Sequence, residues 1–178
     1  KEDVEAILYM NLCGCRGGSA LTNILFGITC PSAKLAETFP VHLKDVPSYQ
    51  YFSNDPHQME YRETIFSGYR YYDTFGISAA YCFGHGLSYT RFSYGDLTII
   101  DGQVSFTIQN EGNYDAREIV FLFVGMKDSR IARAARELKD FQSVYLKKGE
   151  RKQVTFVLSD DMFQYYDVQR HADRKSVV

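Results

Sequence analysis

Leu97-Thr98-Ile99-Ile100-Asp101-Gly102-Gln103-Val104-Ser105-Phe106-Thr107-Ile108 decides the fold. Apolar side chains recur on every second residue, at Leu97 and Ile99 and then at Val104, Phe106 and Ile108, the period of a strand with one buried face. Asp-Gly between two such runs is the dipeptide of a two-residue hairpin turn, whose central residues both take positive φ. The stretch predicts a β-hairpin. Further short apolar runs follow at Ile119 to Val124, Val144 to Leu146, Val154 to Leu158 and Phe163 to Tyr166, divided by Asn110-Glu111-Gly112-Asn113, a basic loop and Lys148-Gly149-Glu150. Short strands at that spacing predict an all-β, immunoglobulin-like sandwich.

Upstream the pattern differs. Val4 to Met10 is a nearly continuous apolar run before Gly14, which fits a strand buried on both faces of a parallel sheet. Gly17-Gly18-Ser19 then leads into Ala20, Leu21, Ile24 and Leu25 at helical spacing, with Ser19 as the expected cap and Gly27 as the stop. Strand, glycine turn and helix make half of a βαβ unit. From Pro31 to Pro56 the periodicity vanishes, and between Tyr61 and Tyr94 tyrosine, phenylalanine and glycine crowd together. The expected division is residues 1–56 as the end of an α/β domain with an extended tail, 57–93 as an aromatic linker, and 94–178 as the sandwich.

Composition narrows the function classes. With 45% apolar and 24% charged residues in 178, disorder, collagen and coiled coil are excluded. No apolar run approaches the ~20 residues of a membrane-spanning helix, so no membrane partner is expected. Twenty basic against 22 acidic residues give a net charge of −2, which supplies no field for a phosphate backbone and argues against nucleic acid. Lys127, Arg130, Arg133 and Arg136, interrupted by Asp128, read as a solvated surface segment. Cys13, Cys15, Cys30 and Cys82 contain no C-x-x-C pair and no accompanying His pair, so no metal is expected, and they fix no redox compartment. The charged start, Lys1 to Glu5, lacks a targeting signal, and localisation is left unassigned.

Gly14-Cys15-Arg16-Gly17-Gly18-Ser19-Ala20-Leu21, then Ile24-Leu25-Phe26-Gly27 and Cys30-Pro31-Ser32-Ala33-Lys34-Leu35 to Thr38-Phe39-Pro40, resemble the end of the second domain of the family 3 glycoside hydrolases, the β-glucosidases and β-xylosidases. Tyr61-Arg62-Glu63-Thr64-Ile65-Phe66, Gly68-Tyr69-Arg70-Tyr71-Tyr72-Asp73 and Phe83-Gly84-His85-Gly86-Leu87-Ser88-Tyr89-Thr90 resemble that family's run into its fibronectin type III-like domain. Glu137-Leu138-Lys139 to Phe141, Gly149-Glu150 and Val154 to Phe156 resemble the later strands. The likeness implies an α/β fragment followed by a fibronectin type III-like sandwich that lacks its last strand and so carries an unpaired edge. Five positions depart from the family pattern: Arg16 for an acidic residue, Cys30 for Asn, Ala33 for Gly, Ala36 for Pro and Thr64 for Gly.

Retaining glycoside hydrolysis needs two carboxyl groups about 5 to 5.5 Å apart. The resemblance implies that the nucleophile lies in a barrel domain and the acid/base in the α/β domain, both upstream, so no catalytic residue and no cofactor is expected here. Glu60 and Glu63 are expected on opposite sides of the chain, and Glu63 or Asp73 is expected to pair with Arg62 or Arg70. Tyr61, Glu63 and His85 are the candidates for the substrate rim, with His85 expected more as a fixer of the glycine corner than as a base. The expected partners are the barrel and α/β domains of the same enzyme, a carbohydrate for the intact protein, and further copies of the chain through the unpaired edge. A free-standing carbohydrate-binding or protein-interaction module is the alternative; it predicts a flat exposed aromatic row.

Overall fold

A computed structural model describes residues 3–52 and 57–175. The hairpin forms as expected, from β3 (Phe92–Ile100) and β4 (Gln103–Asn110), and Asp101 and Gly102 both take positive φ, 48° and 72°. A type I′ turn accommodates such a pair because its twist matches that of the strands, and glycine enters it without strain. β4 pairs on its other side with β7 (Arg151–Val157), giving the antiparallel order β3-β4-β7. A second sheet holds β5 (Ala116–Val124) and β6 (Glu137–Leu146). Between the sheets lie Phe106, Ile108, Val120, Leu146, Val154 and Phe156, the sandwich core. A small hairpin, β8 (Gln164–Asp167) with β9 (Ala172–Lys175), follows.

The two flanks of this sandwich differ. On one, Gln142 on β6 donates to the carbonyl of Thr155 on β7 at 2.8 Å, and Lys152 on β7 donates to that of Tyr145 on β6 at 2.6 Å. The other flank is open: among the described residues, β5 has β6 as its one strand neighbour and β3 has β4 as its one strand neighbour. An apolar cleft of about 720 Å³ lies there, walled by Tyr94, Leu97, Ile99 and Phe106 on one side and Val120 to Val124 on the other. Leu97 and Ile99 depart from expectation: each is 67% exposed. The register slips between Gly95 and Thr98, where Asp96 takes φ 55°, so this end of β3 lines the cleft rather than the closed core.

Ahead of the sandwich, the helix α1 (Gly17–Leu25) forms and stops before Gly27, at φ 70°. Ser19 does not cap it; the cap position is Arg16 and Ser19 lies inside the first turn. The expected strand at Val4 to Met10 is not there, and Val4, Ile7, Leu8 and Tyr9 are exposed. A strand buried on both faces exists only between hydrogen-bonded neighbours, and the described residues contain no parallel sheet to receive it. The stretch after Pro31 is more ordered than its missing periodicity suggests: β1 (Phe39–Pro40) pairs with β2 (Ala79–Tyr81). A second helix, α2 (Tyr69–Phe75), interrupts the aromatic linker.

Thr64 takes φ 51°. Left-handed backbone costs an L residue about 1–2 kcal/mol, and glycine gives back about 0.5–1 of that in lost backbone freedom. The Thr64 side chain is exposed, so it loses little contact if removed. Thr64→Gly is therefore expected to stabilise the chain by about 0.5–1 kcal/mol in urea unfolding. A lower midpoint would show that the threonine is held for a contact rather than tolerated.

Candidate functional site

The chemistry-bearing residues of the linker are fixed by a seam between three segments. Residues 33–40 run beside residues 79–89: Leu35 donates its N–H to the His85 carbonyl at 2.8 Å, Gly84 donates to the Leu35 carbonyl at 2.8 Å, and Phe83 donates to Thr38 Oγ1 at 3.2 Å. A Cβ on Gly86 would stand 2.5 Å from the Ala33 carbonyl oxygen, so only glycine allows this approach. Tyr89 ties α1 to the same seam, its hydroxyl donating to the Ile24 carbonyl at 2.9 Å. The sulfur of Cys30 accepts from the Tyr89 N–H at 3.3 Å and lies 3.1 Å from Ser88 Oγ. All four cysteines are free thiols.

Aromatic rings join this seam to the sandwich. Phe83 packs on Tyr69, Phe121 and Phe123 with centroids 4.9, 5.4 and 6.3 Å away. Helix α2 is docked by polar contacts at its flank: Tyr69 Oη accepts from the Leu138 N–H at 2.7 Å, Thr74 Oγ1 accepts from the Ala135 N–H at 3.0 Å, and Asp73 pairs with Arg136 at 2.7 Å. Arg136 also stacks 4.7 Å over the Phe123 ring. The basic loop is therefore only partly solvated. Lys127 and Arg130 are exposed, whereas Arg133 is nearly buried against Glu137 at 3.1 Å. Burial opposes ionisation of Glu137, but hydrogen bonds from Lys139 and Arg133 outweigh it and hold its carboxyl below the usual range.

The three rim candidates occupy different surroundings. Tyr61 is 76% exposed. It stands beside an open hollow lined by Gln50, Tyr51, Phe52, Gln58, Glu60 and Arg62, in which Arg62 pairs with Glu60 and stacks 4.7 Å over Tyr51. Glu63 sits in a turn, its carbonyl accepting from the Phe66 N–H at 2.9 Å, and its Oε2 is buried without a hydrogen-bond partner. His85 is exposed, with its ring 5.1 Å from that of Tyr81. No hydrogen bond or ring contact joins these three side chains to one another. The glycine corner is held by the main chain of His85 rather than by its imidazole, since its carbonyl receives Leu35 and its N–H reaches the Cys82 carbonyl at 3.0 Å.

The expected ion pairs are redistributed. Arg62 finds Glu60 instead of Glu63, and Asp73 reaches across to Arg136 on the sandwich instead of Arg70. Arg70 keeps its Nε buried and without a hydrogen-bond partner. Among the described residues, no group of three His, Cys, Asp or Glu side chains is placed to hold a metal, and no helix is long and apolar enough to cross a membrane. Lys34, a member of the Cys30-to-Leu35 motif, and Glu118, which no motif marks, carry the seam's charge, paired at 3.1 Å.

Comparison with known proteins gives this arrangement its family. Residues 1–89 match the glycosyl hydrolase family 3 C-terminal domain, and residues 118–175 match the fibronectin type III-like domain. Thermostable beta-glucosidase B of Acetivibrio thermocellus is 44% identical over an alignment of 176 positions that covers 94% of this chain and 23% of that protein. An exo-alpha-(1->6)-L-arabinopyranosidase of Bifidobacterium breve is 36% identical, with 93% and 22% covered. The crystal structure of a Bifidobacterium adolescentis GH3 beta-glucosidase superimposes with a TM-score of 0.82 at 36% identity, covering 88% of this chain and 24% of that one. The chain thus spans less than a quarter of the length of these curated relatives. It belongs to glycoside hydrolase family 3, in the C-terminal part of that family's architecture.

Proposed function

We propose that this chain is the C-terminal support of a retaining, β-glucosidase-like enzyme acting on terminal β-linked sugars, with the nucleophile and the acid/base carried by preceding domains. The observation that carries the reading is the match itself: 94% of the chain aligns with 23% of a beta-glucosidase, at 44% identity. In this reading residues 1–56 complete the α/β domain, 57–93 link it to the sandwich, and 94–178 form the sandwich. The exposed apolar residues Val4, Ile7, Leu8, Tyr61, Ile65 and Phe75 are then surface awaiting the preceding domains. Tyr61, Glu63 and His85 belong to the rim of the sugar pocket, contributing shape and hydrogen bonds but no bond-making chemistry.

The polar outer face of the β3-β4-β7 sheet disfavours a stand-alone sugar-binding module. Ser105 and Thr155 hydroxyls meet there at 2.8 Å, and Thr107 reaches Asp96 at 2.9 Å, where such a module would need aromatic rings for sugars to stack on. The test is an assay of the purified 178-residue chain with an aryl β-glucoside. No turnover above the blank is expected. Turnover that disappears in Glu63→Gln would move the catalytic carboxylates into this chain and overturn the reading.

A further inference from the structure

Four segments far apart in sequence meet at one ion pair. Lys34 Nζ donates to the Gly86 carbonyl at 2.9 Å and pairs with Glu118 Oε1 at 3.1 Å, and the Tyr94 hydroxyl donates to that same carboxylate oxygen at 3.2 Å. Lys34 belongs to the strap around β1, Gly86 to the glycine corner, and Tyr94 and Glu118 to β3 and β5 of the two sheets. The charged side chains are 13% and 12% exposed, which makes this pair much drier than Arg151–Asp96 or Arg136–Asp73. With little water to replace a lost partner, each charge depends on the other.

The surrounding contacts show what the pair controls. The strap touches the corner mainly through backbone hydrogen bonds at Leu35, Gly84 and His85, and through the weak acceptor sulfur of Cys30. None of these reaches the sandwich, which the corner meets through the Phe83 ring packed on Phe121 and Phe123. The sandwich core residues Phe106, Ile108, Val154 and Phe156 pack without any contribution from the strap. Sandwich folding and strap docking are therefore separable, and Lys34 is the polar bridge between them.

We infer that the Lys34–Glu118 pair is a latch that sets the position of the strap and glycine corner on the sandwich, acting on local docking rather than on the stability of the sandwich. Lys34 is a positioning residue. Under the proposed function it holds the corner that carries His85, but the inference does not depend on that function and is tested on the chain itself.

The experiment is hydrogen–deuterium exchange on the 178-residue chain. The Leu35, Gly84 and Tyr89 amides report the strap, and the β4–β7 ladder reports the sandwich. In Lys34→Met the strap amides are expected to exchange at least about tenfold faster while the ladder stays within about twofold, the pattern of a local opening. Lys34→Arg, which keeps charge and donors, is expected to restore protection. Where Lys34→Met alone leaves Glu118 too poorly solvated for the chain to fold, Lys34→Met/Glu118→Leu removes both charges, and fast strap amides above a protected ladder are again expected. Equal acceleration of strap and ladder would make Lys34 an ordinary fold stabiliser. Unchanged strap amides, in either variant, would remove the latch.

Discussion

Asn110→Ala is expected to lower unfolding stability by about 3–5 kcal/mol, against the roughly 5–15 kcal/mol that a domain holds in all. Asn110 is fully buried at the end of β4. Its Oδ1 accepts from Thr90 Oγ1 and from the Gly112 N–H at 3.1 Å, while its Nδ2 donates to the Tyr114 carbonyl at 2.7 Å and the Leu146 carbonyl at 3.3 Å. One amide thus satisfies the end of the linker, the β4–β5 loop and the end of β6. Alanine leaves those groups in a dry site, each costing on the order of 1–3 kcal/mol where water cannot enter. Thr90→Val removes one donor alone and is expected to cost about 1 kcal/mol. Urea denaturation reads both; an Asn110→Ala change below about 1 kcal/mol would show that the loop rearranges to repair the network.

The open flank sets the second large effect. β5 presents an edge with six consecutive apolar residues, Ile119 to Val124, beside the exposed Leu97 and Ile99 of β3. Unprotected edges of this kind recruit further strands. The chain is expected to self-associate across micromolar concentrations in sedimentation. Replacing Leu97 and Ile99 with lysine should weaken association by on the order of a hundredfold, since burying each is worth about 1.5–3 kcal/mol and every 1.4 kcal/mol is tenfold. Both side chains are exposed, so the double variant should fold. A chain that remains monomeric up to near-millimolar concentration, or lysines without effect, would place the association elsewhere.

The parts of the fold that could be read from sequence are those set by local chemistry. Asp101-Gly102 declares its turn because few other dipeptides accept two positive φ values, and the alternation at Val104, Phe106 and Ile108 is repeated in their burial. Helix α2 was hidden. Tyr69, Tyr71 and Tyr72 are indifferent helix formers, Gly68 gives no side-chain cap, and the helix exists because Tyr69, Asp73 and Thr74 are fastened to the sandwich. Val4 to Met10 misled in the opposite direction, since its composition describes a strand buried on both faces and the described residues hold no parallel sheet to receive it. Ion pairs followed space rather than sequence. Asp73 and Arg136, or Lys34 and Glu118, lie in different elements, and only the packing of α2 and the strap brings them together.

The departures at single positions became legible once backbone angles were known. Thr64, a departure from the glycine that the resemblance often shows at this position, carries the positive φ that glycine would relieve. Cys30, in place of Asn, offers a weak sulfur acceptor to the Tyr89 amide at a seam that an amide oxygen would hold more firmly. The rim candidates were legible as residue types but not as a site, because Tyr61, Glu63 and His85 share no contact that spacing could have announced.

The most direct test of the support role is a transplant. In the Acetivibrio thermocellus beta-glucosidase B, the stretch that matches this chain is replaced by the corresponding residues of this chain, and hydrolysis of an aryl β-glucoside is measured beside the intact relative and the relative lacking that stretch. A kcat within roughly tenfold of the intact enzyme is expected for the transplant, because docking geometry is kept and no reacting group is exchanged, and none is expected for the deletion. A folded transplant without activity, or a deletion as active as the intact enzyme, would contradict the account.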